Sequence, residues 1–454
     1  MFDNMRAMLS RVDADYADLR YEIKKETIIH FDGKELTQIG SNSTDGFVLR
    51  VLKNGGLASA MFTKANDAEQ AMRSAVENAG LIAQHIDKPV RLAGVMAIKD
   101  DFQPQLNEDP RNVSMMEKLE LTRQYNDIAL QHDKIVTTQV RYTELMRERY
   151  FVSSAGSEIR EDLITTRLGG LLTSKEGNIT QNVRVSSGGS DGFANVRNQE
   201  ANFEKRTAIV LDLLNAKPVE GGVYNVILNP DMSGVFTHEA FGHFSEADII
   251  ETLPAMRNKM QIGSKLGNDA LTIIDDATQL HQLGFFKYDD EGVPVRRVEL
   301  MKNGILTGRL HSRRTAAEFD EPVSGHCVAE DFRYAPIVRM GNIYIEPGSL
   351  NFDDLVAQLD NGLYILDAKG GQTAGENFTF GAQYGYVVKN GKMGVMLRDI
   401  NMTGNLYQTM QNIVAIGDDL TLSKSGGCGK GQMNLRSCNG GPHILVNHLV
   451  IGGE

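Results

Sequence analysis

Apolar residues recur every three or four positions in several parts of the chain, and this spacing predicts helices. Two such helices are predicted near the start, over residues 1–20 and 66–86. Ser114 and Glu117 form a capping-box pattern, which opens a third helix that is expected to end near residue 132. A fourth helix is predicted over residues 200–216.

Alternation of apolar and polar residues predicts strands between these helices. Short strands are expected at residues 21–30 and 46–52. The region after the third helix is dominated by strand-like runs, which we expect to form an antiparallel meander: residues 135–142, 148–154, 159–172 and 179–185. A flexible loop is expected at residues 186–192.

The tripeptide Lys-Asn-Gly occurs three times, at residues 53–55, 302–304 and 389–391, each time between strand-like runs. Asn-Gly favours the type I′ turn, in which both central residues have positive φ, so each copy predicts a β-hairpin. Turn chemistry is sufficient to explain the recurrence, although a weak internal duplication also fits it.

Proline and paired glycines interrupt both periodicities at residues 217–222, which makes this stretch the best linker candidate. We therefore predict an N-terminal α+β domain over residues 1–217 and a C-terminal, sheet-rich domain over residues 218–454. The second half reads mainly as antiparallel sheet with few helices. The predicted fold class is α+β, with two domains.

Net charge, hydropathy and cysteine content argue against several classes of protein. The chain has 454 residues and a net charge of -12, which argues against nucleic acid as the main partner, because phosphate contacts need a basic face. No apolar run approaches the length of a membrane span, and the N-terminus has no signal-peptide pattern. Three cysteines in so long a chain do not form a disulfide framework, which favours a reducing cytoplasm.

The stretch from His238 to His243 holds two imidazoles and the carboxylate of Glu239 within six residues. Such a set could hold zinc and supply a base for hydrolysis. The histidines are five residues apart, about 140° around a regular α-helix, so they could converge only if the helix were wider there, as in a π-bulge, or ended there. Gly242 is expected to ease the distortion. The alternative is one buried structural histidine and one exposed histidine.

A catalytic zinc usually takes three protein ligands, so a third must come from elsewhere. Cys428 lies among glycines that let backbone approach an ion closely, and His326 with Cys327 is the other candidate pair. Glu246 and Asp248 could accept a hydrogen bond from a ligating imidazole, or they could be solvated carboxylates on a helix face.

Several motifs together resemble the TldD/PmbA family of metallopeptidases. They are His-Glu-Ala-Phe-Gly-His at residues 238–243 and Cys-Gly-Lys-Gly-Gln at residues 428–432. Similar patterns occur at residues 46–56, 336–344 and 369–381, so the likeness runs over most of the chain. Gly341 stands where the family pattern leads us to expect Thr.

The resemblance implies zinc held by His238, His243 and Cys428, with Glu239 as general base. Because the chain has the whole His-Glu motif, it resembles the catalytic, TldD-like subunit type. The family also implies hydrolysis of unstructured peptides and a homodimer, or a heterodimer with a TldE/PmbA-like subunit. Two other classes stay open: a non-catalytic binding or regulatory subunit, and a zinc amidase acting on a small molecule.

Overall fold

The computed structural model describes residues 1–434 and 436–452. Its first half contains seven strands: β1 (Tyr16–Asp32), β2 (Glu35–Lys53), β3 (Gly56–Phe62), β4 (Lys99–Phe102), β5 (Ile135–Ser153), β6 (Glu158–Glu176) and β7 (Ile179–Gly189). They form one sheet in the order β3-β2-β1-β5-β6-β4, with β7 also paired to β6. Every pair is antiparallel except β4 with β6.

Helices cover one face of this sheet: α1 (Phe2–Leu9), α2 (Ala68–His85), α3 (Met115–Leu130) and α4 (Glu200–Asp212). Successive side chains of a strand point to opposite faces, so only alternate residues reach the helices. Val140, Leu168 and Val183 lie on the helix side, where they are packed in one core with Tyr125 of α3 and Phe203 of α4. The opposite face carries charged residues together with a few apolar ones, and it packs against the second half of the chain, as where Leu163 is packed in one cluster with Phe286 and Phe151 with Tyr288.

The second half is built around a ring of five strands. They are β9 (Gly222–Leu228), β16 (Gly362–Ala374), β17 (Asn377–Lys389), β19 (Ile400–Asn405) and β25 (Ile444–Gly452). Pairing runs β16-β9-β25-β19-β17, and an additional pairing of β16 with β17 closes the ring. Three strands extend it: β8 (Lys217–Pro218), β18 (Lys392–Arg398) and β20 (Ile413–Ile416).

A six-stranded sheet lies beside the ring and contains β10 (Ile273–Asp275), β11 (Val298–Lys302), β12 (Ile305–Leu306), β15 (Asn342–Ile345), β21 (Thr421–Leu422) and β24 (Cys438–Gly441). Two short hairpins complete the strands: β13 (Cys327–Val328) with β14 (Ile337–Val338), and β22 (Cys428–Gly429) with β23 (Met433–Asn434).

Six helices accompany these strands: α5 (Pro230–Thr237), α6 (Ala247–Thr252), α7 (Pro254–Lys259), α8 (Arg313–Phe319), α9 (Phe352–Leu359) and α10 (Leu406–Gln411). A π-helix (His238–Gly242) and 3₁₀ turns (Ala65–Asp67, Pro110–Asn112, Phe193–Val196, His243–Ser245) complete the helical segments. Helix α5 is packed in the largest core of the second half, with Met232 and Phe236 buried beside Phe378 and Phe380 of the ring. The α+β class and the dominance of sheet are as predicted from the sequence.

The helix predicted over residues 1–20 is wrong beyond its first turns, because α1 ends at Leu9 and β1 begins at Tyr16. The chain turns at two aspartates: Asp13 pairs with Lys53, and the Asp15 carboxylate accepts the amide N–H of Asn54. Tertiary pairing of β1 with β2 and β5 thus overrides local helical spacing.

The strand predictions erred mainly at their boundaries. Residues 135–142 and 148–154 were predicted as separate strands, but β5 runs unbroken from Ile135 to Ser153. Likewise β7 continues to Gly189, into the expected loop. All three Lys-Asn-Gly hairpins are confirmed, because the Asn and Gly of each have positive φ, as at Asn54 (50°) and Gly55 (84°).

Asp290, in the second half of the chain, is buried against three arginines of the first sheet. Its carboxylate lies 2.9 Å from Arg20 and 3.0 Å from Arg147, and it also pairs with Arg149. Burial favours the neutral acid, but the three guanidinium groups hold the pKa of Asp290 well below its usual range. The two halves are therefore joined by a buried ionic contact.

The three cysteines are free and buried. Within the described part of the chain, no helix is both long enough and apolar enough to cross a membrane.

Candidate metal centre

The two histidines of the His-Glu motif are brought together by a wide helical turn. α5 is followed directly by the π-helix His238–Gly242, in which the N–H of His243 donates to the carbonyl of His238. Because this turn contains an extra residue, positions five apart lie above one another rather than on diverging faces. The two rings are 5.1 Å apart between centroids and perpendicular. The predicted π-bulge is confirmed.

Gly242 serves this turn through its small size rather than through its backbone freedom. Its φ and ψ are -56° and -51°, which any residue adopts in a helix. A Cβ placed there, however, would lie 2.2 Å from the sulfur of Met340 and 3.0 Å from Cδ1 of Ile343. The expectation that Gly242 eases a backbone distortion is therefore replaced by a packing reason.

Cys428 reaches the histidines from a separate loop that two cations hold in place. Arg339, which is 1% exposed, donates to the carbonyls of Cys428 (2.6 Å) and Gln432 (2.9 Å). Lys430 donates to the carbonyl of Val338 (2.6 Å), which ties the loop to β14. The thiol therefore has a supported backbone on both sides.

The three candidate donors lie close to the spacing that zinc needs. Cys428 Sγ is 3.1 Å from His238 Nε2 and 3.5 Å from His243 Nε2, and all three donor atoms lie within 4.8 Å of one another. Donors at tetrahedral zinc, with bonds of about 2.0–2.3 Å, lie about 3.4–3.6 Å apart. His238 and Cys428 are buried and His243 is half-buried, so little protein movement is needed to enclose an ion.

Cys428 and His243 shift one another's pKa values. Burial raises the pKa of the Cys428 thiol, but hydrogen bonds from the two imidazoles outweigh it and lower that pKa to about 6. Burial lowers the pKa of His243, whereas its contacts with Cys428 and Glu246 raise it to about 10. The shift favours the thiolate, which is the ligand form of cysteine, whereas His243 has to give up a proton before its Nε2 can bind an ion.

Glu246 and Asp248 occupy different places around this centre. Glu246 is fully buried, and its Oε2 lies 3.0 Å from His243 Nδ1 and 3.1 Å from Lys430 Nζ. Burial would raise the pKa of Glu246, but His243 and Lys430 lower it, so the carboxylate stays charged. Asp248 contacts Lys430 and the amide N–H of Val338, and no contact with either imidazole is observed in the described residues.

Glu239, the expected general base, is half-buried beside His238 on the π-helix. Among the described residues its carboxylate has no hydrogen-bond or ion-pair partner. The Nδ1 atom of His238 also has none there. A carboxylate that is near the donor set but unengaged can accept a proton from a reactant.

The alternative third ligands lie elsewhere. His326 is fully buried, with Nε2 3.0 Å from an Asp275 oxygen and Nδ1 2.9 Å from the carbonyl of Ser324. Cys327 is buried, and its amide N–H donates to Asp289. Of the two candidates that the sequence left open, only Cys428 is grouped with the histidines in the described residues.

The sequence reasoning gave no role to Arg339 or to Lys430. Both residues lie in the segments that carried the family resemblance, at residues 336–344 and 428–432. The presence of these two cations in the motifs was the available signal. Their hydrogen-bond partners could not be known without the tertiary structure.

Two imidazoles, a thiolate and a nearby carboxylate form a donor set that suits a transition metal, which defines the class of the site. The family comparison agrees. The C-terminal domain of the PmbA/TldA metallopeptidases matches residues 221–453, their central domain matches residues 108–214, and their domain 1 matches residues 17–83. The chain belongs to the PmbA/TldA metallopeptidase family.

Individual relatives cover nearly the whole chain. A Synechocystis protein named metalloprotease slr0863 is 33% identical over 97% of this chain and 95% of its own length. A Saccharolobus solfataricus protein named zinc metalloprotease TldD homolog is 30% identical over 97% of each chain.

Solved structures share the fold at low identity. TldE from Thermococcus kodakarensis superposes with a TM-score of 0.80 at 17% identity, over 100% of both chains. A putative modulator of a DNA gyrase from Thermotoga maritima gives 0.81 at 18% identity, again over 100% of both chains.

Proposed function

We propose that the protein is a zinc-dependent peptidase that hydrolyses peptide bonds in unstructured peptides or small unfolded proteins. The observation that carries the proposal is the convergence of His238, His243 and Cys428, with the unengaged carboxylate of Glu239 on the adjacent residue. The name of the Saccharolobus relative supports zinc as the metal.

In this proposal His238 and His243 bind the ion through Nε2 and Cys428 binds it through Sγ. The ion supplies a Lewis acid that polarises a peptide carbonyl and activates water. The Glu239 carboxylate takes a proton from the attacking water and delivers it to the leaving amine nitrogen. Glu246 accepts the Nδ1–H of His243, which fixes the tautomer that presents Nε2.

Further parts of the proposal concern the whole molecule. We assign two domains, residues 1–217 and 218–454, with the short β8 strand crossing that boundary by one residue. We also propose a cytoplasmic protein that forms a homodimer, or a heterodimer with a TldE/PmbA-like subunit. The fold shared with TldE supports a pairing of related subunits.

The first experiment measures the zinc content of the purified protein, comparing wild type with Cys428→Ala. The expected result is about one zinc per chain in wild type and little in the variant, because the thiolate supplies one of three protein ligands. Cys438→Ala is the matched control, since Cys438 is also buried but lies outside the donor group. Unchanged zinc in Cys428→Ala would refute this ligand set.

The second experiment tests hydrolysis by mass spectrometry of an unstructured peptide incubated with the zinc-loaded protein. Glu239→Gln is expected to keep the metal and to lower turnover by about 10²–10⁴-fold, the usual contribution of a general base. Retained turnover would contradict the role of Glu239. A protein that holds zinc and leaves every peptide intact, alone and with a TldE-like subunit, would instead be a binding subunit or an amidase.

A further inference from the structure

A large cleft lies between the polar face of the first sheet and the segments that carry the metal ligands. Its volume is about 730 Å³. Asp231 and Val235 line it from α5, four residues apart on the helix face that leads to Glu239. Lys424 and Ser425 line it from the loop that leads to Cys428. The cleft therefore lies beside the two segments that carry the candidate metal ligands, although the ligands themselves are not among its lining residues.

The charge of this cleft is opposite to that of the protein. Five cationic side chains and two carboxylates line it, although the whole chain has a net charge of -12. Low-dielectric walls focus such a local field and attract ligands of the opposite charge. A basic cleft in an acidic protein is therefore expected to select anionic ligands.

Three arginines come from neighbouring strands and share the face of the sheet opposite to its core. Arg141 of β5 is directly opposite Gly169 of β6, two residues from Arg167. Arg184 of β7 is opposite Leu171 of β6. None of the three is directly opposite another, so each guanidinium can stand beside the next without a direct like-charge pair. Together they make this part of the face basic.

Arg167 extends this basic face to the cysteine loop. Its guanidinium nitrogens lie 3.0 Å and 3.5 Å from where a Cβ would stand on Gly426 and Gly427, the two residues before Cys428. Both glycines have positive φ, at 56° and 98°. The loop can therefore pass close over the arginine, and the cationic lining continues to within two residues of the thiolate.

The cations of the cleft are not neutralised by its own carboxylates. Asp367 pairs with Arg206, which accounts for one of each sign. Asp231 accepts the amide N–H of Ala368 and is one carboxylate against the four remaining cations. Arg141, Arg184 and Lys424 are exposed and have no ion-pair partner in residues 1–434 and 436–452. Three cations are thus available to an incoming ligand.

We propose that this cleft binds the carboxylates of acidic peptide segments and delivers such peptides to the metal centre, with Arg141, Arg184 and Lys424 as the binding cations. The proposal rests on the peptidase function above and adds a substrate class to it. Guanidinium groups bind carboxylates in a bidentate manner, which suits Asp and Glu side chains and a C-terminal carboxylate alike.

The test compares four peptides. An unstructured Gly/Ser/Ala peptide with spaced Glu residues and its Gln counterpart are each made in two forms, as a free acid and as a C-terminal amide. Wild type is expected to cleave the Glu peptide with a kcat/KM about tenfold higher than the Gln peptide, mainly through KM. The preference should fall at high salt, because screening weakens exposed charge pairs. Amidation and the Glu-to-Gln change separately identify which carboxylate is bound.

The double variant Arg184→Gln/Lys424→Gln should lose this preference and keep its turnover of the amidated Gln peptide, which has no carboxylate for these cations to bind. Matched controls are Arg73→Gln and Lys175→Gln, exposed cations outside the cleft, which should retain the preference. Equal cleavage of all four peptides by wild type would overturn the proposal. So would a double variant that loses activity equally on every peptide.

A binding measurement separates failure of this proposal from failure of the peptidase function. Rhodamine-labelled Glu and Gln peptides are titrated with Glu239→Gln and followed by fluorescence anisotropy. Tighter binding of the Glu peptide, weakened in the added Arg184→Gln/Lys424→Gln background, supports the cleft even if no peptide is cleaved. Equal binding of the two peptides, or stronger competition by a single-stranded oligonucleotide than by the Glu peptide, contradicts it.

Discussion

Replacing Glu246 by Gln is expected to weaken zinc binding because Glu246 supports the imidazole of His243, one of the proposed ligands. Its buried carboxylate lies 3.0 Å from Nδ1 of His243. Outer-sphere partners of this kind typically change metal affinity by about 10–100-fold, which corresponds to about 1.4–2.7 kcal/mol. The amide of Gln can still accept one hydrogen bond, but it loses the charge that favours the Nδ1–H tautomer.

The structure also offers a control for this variant. Glu246 and Asp248 both pair with Lys430, but only Glu246 contacts His243. Asp248→Asn therefore removes the same kind of charge beside Lys430 without touching the imidazole. The difference between the two variants measures the imidazole contact rather than the anchoring of the cysteine loop.

The assay is a zinc titration in competition with a chromophoric chelator, for wild type and both variants. Circular dichroism of the metal-free proteins shows whether each variant is folded. We expect Glu246→Gln to bind zinc at least about tenfold more weakly than wild type and Asp248→Asn to stay within about threefold, following the usual effect of such partners. Equal losses in the two variants would refute the reasoning, because the lysine contact would then explain both.

Two further predictions concern packing and charge. Gly242→Ala should lower the free energy of unfolding, measured by urea titration, by about 1–3 kcal/mol and weaken zinc binding, because the added Cβ would meet Met340. The control is Gly80→Ala, at a helical glycine with open space where the Cβ would stand, which should be neutral or slightly stabilising. Asp290→Asn should cost about 3–5 kcal/mol, since it leaves buried arginines without their carboxylate. The pKa of Asp290 is lower in the folded than in the unfolded state. The contribution of its carboxylate to the free energy of unfolding is therefore complete above about pH 4 and is lost as the pH falls further. Wild-type stability should consequently drop with acidification more steeply than that of Asp290→Asn. Parallel acid profiles for the two proteins would show that Asp290 is not held by these arginines.

Local sequence determined those features whose physical cause lies within a few residues. Each Lys-Asn-Gly turn could be predicted because Asn and Gly tolerate positive φ where other residues do not. The five-residue spacing of His238 and His243 predicted either a wider turn or a helix end, because the two rings diverge on a regular α-helix, and the structure has the wider turn. The α+β class followed from the two periodicities in the same way.

Tertiary structure decided what depends on residues far apart in the chain. Chemistry alone left Cys428 and the His326/Cys327 pair as alternatives, because both offer good ligands. In the described residues only Cys428, on the loop held by Arg339, is grouped with the two histidines. The first helix was predicted too long, because strand pairing outweighs local spacing.

The basic cleft could not be foreseen from the sequence either. Arg141, Arg167 and Arg184 are separated along the chain by 17 residues or more, and each lies within an ordinary alternating strand. Only the register of β5, β6 and β7 places them on one face, and only the packing of the second half against that face forms a cleft. Local propensities are set by neighbours along the chain, whereas a site is set by which distant surfaces are buried together.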